Sequence, residues 1–238
     1  MPQPNPVTKL ILGLNFIMFL ISVVATYAAT NRLSMMASVN GEVLSRLGAR
    51  ETISLLFRHE WWRMATAVFL HANLLHIGMN TWAFLDLGPP LEELYGSARY
   101  LFLYVATGII GYVFSTGVDI FLRRPGASVG ASGAIMGLLG LYLAVSGRRG
   151  GAYFQSIRRQ LLQWVVIIFA FGYFMGGIDN AAHLGGLASG YLFGRVFADQ
   201  EPADAIERQR AILLALAALL VVIGSFAEMI LHYSESLS

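Results

Sequence analysis

Seven apolar stretches, at about residues 8–29, 73–91, 99–121, 131–146, 159–176, 181–198 and 210–232, leave this chain few ways to fold. Each is within or near the roughly 20 residues a helix needs to cross a bilayer. Lipid offers no hydrogen bonds to a bare backbone, so continuous apolar runs of this length specify helices. The expectation is an all-α, polytopic membrane helix bundle forming one domain over residues 1–238. Composition agrees, at 56% hydrophobic and 13% charged residues with a mean hydropathy of +0.62; soluble domains are roughly a quarter charged. The first stretch has a rival reading as a signal peptide, because Ala25-Thr26-Tyr27-Ala28 resembles a cleavage site. It is longer than the usual signal-peptide core of roughly 7 to 15 residues, which favours a retained span.

The fourth stretch is too short. From Ser132 to Ser146 it supplies about 22 Å of helix at ~1.5 Å per residue, against a hydrocarbon core of roughly 30 Å. It opens with GASGAIMGLLG, residues 130–140, after an irregular approach over 123–129. Irregular backbone at membrane depth is tolerated only where protein or a water-filled cavity satisfies it. A serine at such a sunken helix start, Ser132, is a candidate nucleophile.

The other spans carry their own signals. HANLLHIGMN, residues 71–80, is polar where an ordinary span would be leucine. His76 and Asn80 are four apart and share a helix face, while His71 belongs to the loop before them. Such groups serve either as interhelical hydrogen bonds, worth ~0.6 to 2 kcal/mol each, or as functional groups; these residues alone leave both open. Before them, Trp61-Trp62 suits the headgroup level, and Met64–Leu70 is expected to lie in or dip into the outer leaflet. Gly88-Pro89-Pro90 is expected to end the second span, with residues 91–100 forming a loop that starts the third. Arg158-Arg159 opens the fifth, whose far end holds Phe169, Phe171, Tyr173, Phe174 and Met175 as packing or interface aromatics. The sixth contains His183 one turn in, followed by Gly186, Gly190 and Gly194. That ladder permits close helix approach, and Gly133 and Gly137 offer a matching face. Residues 195–210 read as a charged connector, and Glu228 and His232 near the end of the seventh span as interfacial.

In an alternating bundle the second, fourth and sixth spans enter from one side, so His76, Asn80, Ser132 and His183 share one depth. With the N-terminus inside, the inner side carries Lys9, Arg99, Arg148, Arg149, Arg158, Arg159, Arg195, Arg208 and Arg210. The outer side carries Arg32, Arg46, Arg50, Arg58, Arg63, Arg123 and Arg124. The sign of this bias puts the serine on the extracytoplasmic side. Hydroxyl attack needs a base and donors for the oxyanion. Ser132 supplies the hydroxyl and His183 an imidazole able to take a proton near neutrality. His76, Asn80 and the Ser132 amide at a helix N-terminus supply donors. Asp179 reads as a helix-start charge, leaving a Ser/His dyad. The chain has no cysteine, so it has neither disulfide nor thiolate; no metal or cofactor is expected. No basic-aromatic module suggests nucleic acid.

At these residues the chain resembles the rhomboid family of intramembrane serine proteases. The matching pieces are Trp62-Arg63, HANLLHIGMN, LEELYGS at 91–97, GASGAIMG at 130–137 and DNAAHLGGLASG at 179–190, in the family's order over roughly residues 60–195. The resemblance implies a rhomboid-like six-helix core, about 8–198, plus a seventh helix at about 210–232. It implies Ser132 and His183 as the catalytic pair, with His76, Asn80 and the Ser132 amide in the oxyanion hole. Gly130, Met136, Asn180, Gly186 and Gly190 are supporting positions. It further implies cleavage of single-span membrane proteins at or near the bilayer, in a multi-pass protein of the cell membrane, by analogy a bacterial inner membrane. Glu92, Gly96 and Ser97 match a structural turn. One departure is Met136, where many members carry a ring that packs on the catalytic histidine; a thioether can also pack there. Two alternatives remain: a non-catalytic relative that binds membrane helices, and a small transporter using the same polar cavity. The latter predicts repeat-related helices, and no internal repeat is present. Oligomeric state is not encoded in any visible motif.

Overall fold

The computed structural model describes residues 5–235. The proline-rich first four residues and the last three lie outside the described residues, as does the Met175 side chain of the aromatic cluster. The first helix, α1, spans Pro6–Thr30. The polar interval after it folds into α2 (Gly41–Arg46), a two-residue strand β1 (Arg50–Glu51) and α3 (Thr52–Phe57). Next come α4 (Arg63–Thr66) with a 3-10 turn over Ala67–Phe69, α5 (Leu74–Tyr95) and α6 (Ser97–Phe121). Strand β2 (Ala127–Ser128) precedes α7 (Ser132–Arg148), α8 (Ala152–Met175), α9 (Asn180–Val196) and α10 (Ala205–Glu235). β1 and β2 pair antiparallel, Arg50 opposite Ser128; this short ladder is the one sheet among the described residues.

The seven expected spans correspond to α1 and α5 to α10, the helices of an all-α, multi-pass membrane bundle. By length and composition, α1, α6 and α10 are long and apolar enough to cross a membrane, and α7 is apolar but short. Of the others, α5 carries His76 and Asn80 and α9 carries His183. At 17 residues, α7 reaches about 25 Å, short of the roughly 30 Å of a hydrocarbon core.

Several boundaries differ from expectation. Gly88-Pro89-Pro90 does not end the second span: α5 runs through both prolines to Tyr95, and the turn into α6 is Gly96 at φ 76°. Neighbouring helices hold the irregular turn together, as intramembrane prolines require. A side chain at Gly88 would stand 2.8 Å from the Tyr100 hydroxyl. The Glu92 carboxylate accepts hydrogen bonds from the Val7 amide (3.0 Å), the Thr8 amide (2.8 Å), the Thr8 hydroxyl (2.7 Å) and the Ser97 hydroxyl (2.6 Å), so the expected loop is a stapled helix end. Arg158 and Arg159 lie inside α8 rather than at its start. The connector expected over 195–210 narrows to residues 197–204. Met64–Leu70 is packed inside the protein, with Ala67 and Leu70 fully buried in the bundle. Trp61 is exposed, whereas Trp62 is half-buried under the Arg63 guanidinium and faces the His232 ring of α10.

The α6, α7 and α9 helices make the tightest core. Glycines are needed where backbones touch: a Cβ on Gly186 would stand 2.9 Å from the Gly133 carbonyl carbon, and one on Gly190 2.6 Å from that of Gly137. Gly111 of α6 lies against the Ala182 carbonyl, 2.8 Å from where its Cβ would be. The stripe Gly186, Gly190, Gly194 and its partner face on α7 therefore pack as the sequence suggests.

Candidate active site

Three helix starts converge. Ser132 is the first residue of α7, and its N-cap position, Ala131, provides no capping side chain, so the first-turn amides of α7 are offered to a ligand. His183 lies one turn into α9, buried at 4% exposure. Its Nε2 is 2.8 Å from the Ser132 Oγ, within hydrogen-bond reach of nucleophile and base. Among the described residues its Nδ1 is a buried nitrogen without a hydrogen-bond partner, which fits a two-membered arrangement.

His76 and Asn80 reach the same place from α5. The Ala72 amide donates to His76 Nδ1 at 3.4 Å, which leaves the neutral ring's proton on Nε2. That Nε2 stands 2.7 Å, and the Asn80 Nδ2 3.7 Å, from the point where a Cβ on Gly130 would be. Among the described residues the buried Asn80 amide nitrogen has no hydrogen-bond partner. Two donors thus face the backbone that leads into Ser132. Gly130 itself sits at φ 133°, a conformation open to glycine. Its amide donates to the Ala67 carbonyl at 2.9 Å and its carbonyl accepts from the Tyr112 hydroxyl at 2.9 Å.

The supporting positions divide. Met136 is buried at 1% exposure, and the ring that meets His183 comes from Phe169 of α8, edge-on with centroids 6.3 Å apart. The aromatic cluster therefore splits: Phe169 turns inward while Phe171, Tyr173 and Phe174 are exposed. Asn180 packs at Gly172 and donates to the Phe169 carbonyl at 3.4 Å, so it braces α8 against α9 rather than entering the site. His71, fully buried, meets His76 edge-on with ring centroids 5.2 Å apart.

On the N-terminal side of these helix starts is a polar cluster that the sequence alone does not assemble. Asp179 caps α9, accepting from the Ala182 amide at 2.9 Å, as its position suggests. It also accepts from Ser115 (2.6 Å), Ser128 (2.7 Å) and the Arg50 guanidinium (2.8 Å). Arg50, 2% exposed, further binds Asp119, Ser115, Thr52 and Ser128. Burial pushes the Asp179 carboxyl up, but hydrogen bonds from Ser115, the Ala182 amide and Ser128, with the Arg50 charge, outweigh it and hold the group below the usual range. It stays ionised at neutral pH. Asp119, an acid inside the apolar stretch 99–121, was the available signal.

The rhomboid domain model matches residues 58–200, more than half of the chain. Rhomboid protease GluP of Bacillus subtilis is 40% identical over 157 residues, covering 65% of this chain and 29% of that protein. RHOMBOID-like protein 1 of Arabidopsis thaliana is 35% identical over 157 residues, 65% of this chain and 39% of that one. RHOMBOID-like protein 6, mitochondrial, of the same plant is 34% identical over 158 residues, 65% and 50% respectively. The chain spans half the length of these relatives or less. The matched residues contain all three converging helix starts and the glycine faces that join two of them, and on that match the chain belongs to the rhomboid family.

Proposed function

We propose that the protein is an intramembrane serine endopeptidase that cuts single-span membrane proteins at or near the bilayer. The observation that carries this reading is the 2.8 Å approach of Ser132 Oγ to His183 Nε2 across two helices. In the proposed reaction Ser132 Oγ attacks the scissile carbonyl carbon as its proton passes to His183 Nε2. The oxyanion is met by His76 Nε2–H, the Asn80 amide and the Ser132 backbone N–H. The C–N bond then breaks, His183 returns the proton to the leaving amine, and an ester links Ser132 to the N-terminal fragment. Water, deprotonated by the same imidazole, releases that fragment and restores Ser132. No step requires a metal or cofactor.

Membrane-helix substrates suit a site built from helix starts inside a bundle, and the family match and the name of the Bacillus relative support the activity. The distribution of cations supports a cytoplasmic N-terminus and an extracytoplasmic site, and the Bacillus relative supports a bacterial inner membrane. A purely helix-binding relative has no use for a hydroxyl and an imidazole in contact, which favours the protease over that alternative.

Labelling with a serine-reactive fluorophosphonate in membranes, alongside cleavage of a single-span substrate in proteoliposomes, tests the reading. Both signals are expected to vanish in Ser132→Ala and in His183→Ala, with cleavage down by at least ~10³-fold. Undiminished cleavage by Ser132→Ala would remove the serine from the mechanism.

A further inference from the structure

The Ser132–His183 contact is repeated four residues earlier in each segment by a second pair. Ser128 is four residues before Ser132, and Asp179 is four residues before His183. The Ser128 hydroxyl donates to Asp179 Oδ2 at 2.7 Å. One guanidinium spans both: Arg50 Nε donates to Ser128 Oγ at 3.1 Å and Arg50 Nη2 to Asp179 Oδ2 at 2.8 Å. Arg50 is itself fixed by Asp119 of α6 and by the pairing of β1 with β2. A planar, forked donor group suits this bridging in a way that a lysine ammonium does not.

We propose that Arg50, Ser128 and Asp179 form a positioning bridge that sets the separation and orientation of Ser132 and His183. The inference rests on the dyad reading above. The loop that delivers the serine and the helix that delivers the imidazole belong to segments some 50 residues apart in sequence, as the Ser128 to Asp179 separation of 51 shows. The glycine faces of α7 and α9 fix how closely the helices pack along their length. The bridge fixes their starts, where the reacting atoms are. Among the described residues none of the three hydrogen-bonds the Ser132 hydroxyl or the His183 ring, so the positioning effect passes through the backbone of four residues on each side, alongside the direct action of the Asp179 charge on the His183 ring.

The test measures kcat and KM separately in proteoliposomes with a single-span substrate, together with unfolding temperature. Asp179→Asn keeps an oxygen for the Ala182 amide but loses the charge that faces Arg50. It and Arg50→Lys are each expected to lower kcat by about 10- to 100-fold, the scale of a small misplacement of reacting groups. KM should stay within about twofold. Ser128→Ala should lower kcat by several-fold, Ser128→Thr should restore it, and Ser128→Ala combined with Asp179→Asn should fall no further than Asp179→Asn alone, as members of one unit do. The proposal is overturned if these variants lose unfolding temperature while kcat stays within about twofold. It is equally overturned if the Ser128 and Asp179 effects multiply, or if Ser128→Thr behaves as Ser128→Ala. Because Ser128→Ala removes only a hydroxyl, it remains measurable even where Arg50→Lys fails to fold. Ser132→Ala and His183→Ala run in parallel separate the two readings: if they still cleave, the dyad is wrong; if they are inactive while the bridge variants keep full kcat, only the bridge is.

Discussion

Gly190 of α9 rests directly on the carbonyl group of Gly137 of α7, so that a Cβ at Gly190 would lie 2.6 Å from the Gly137 carbonyl carbon. Neither backbone can give way without moving a whole helix. Gly190→Ala is therefore expected to cost about 1–3 kcal/mol, as overpacking does, and to lower cleavage by spreading the helices that bear Ser132 and His183. Thermal unfolding in mild detergent and the cleavage rate check this; a variant with wild-type unfolding and rate would contradict the close contact.

Gly130 carries a second test, closer to the chemistry. Its φ of 133° disfavours any side chain, and an added methyl would stand 2.7 Å from His76 Nε2. Gly130→Ala should push aside one oxyanion donor and lower kcat by about 10²-fold, the scale for loss of one such donor. KM should change much less, because the donor acts on charge that develops in the reaction. A change in KM alone would show that Gly130 shapes substrate binding instead.

Arg63 and Glu60 form a buried ion pair, 5% and 7% exposed, and Arg63 also donates to the Ser45 and Ala49 carbonyls. Arg63→Ala leaves a carboxylate and two carbonyls facing its place. Breaking such a pair costs about 3–5 kcal/mol. Replacing both members, as Arg63→Met with Glu60→Leu, should recover part of that loss, and comparison of unfolding temperatures across the cycle checks it.

The link between α9 and α10 gives a pH-dependent expectation. Burial pushes the Asp199 carboxyl up, but the hydrogen bond from Arg149, a backbone amide and the charges of Arg149 and Arg148 outweigh it and hold the group below its ordinary value. A carboxylate depressed on folding contributes stability above its unfolded pKa of about 3.9, and that contribution is lost as pH falls through the lower folded value. The stability difference between wild type and Asp199→Asn should be constant above about pH 5 and close below about pH 3.9. It should be small and shrink in salt, since both partners are partly exposed. Unfolding temperatures from pH 7 down to about pH 3, at low and high salt, decide it; a gap that widens with acid would reverse the sign.

Hydrophobic runs made the spans readable because each helix must face lipid or a neighbour along its whole length. The contact between Ser132 and His183 was readable because ionisable and hydroxyl groups stand out against leucine, and alternation of spans put the two residues at one depth. Helix ends were less readable. Pro89 and Pro90 signal a stop, yet Glu92 and the Tyr100 contact carry α5 onward, and such support comes from residues distant in sequence. The same reason hid Phe169, one aromatic among several until α8 is packed against α9. Arg50 looked like one more loop cation; only the pairing of β1 with β2 brings it under Asp179.

The two peptide groups that flank Gly130 are each held: its amide donates to the Ala67 carbonyl, and its carbonyl accepts from the Tyr112 hydroxyl, which also reaches the Ala67 carbonyl at 3.3 Å. Rotation of either peptide would break a hydrogen bond. The wall of the proposed oxyanion pocket is thus ordered before any polypeptide arrives, and on the proposed mechanism ordering it takes nothing from the free energy of the first step.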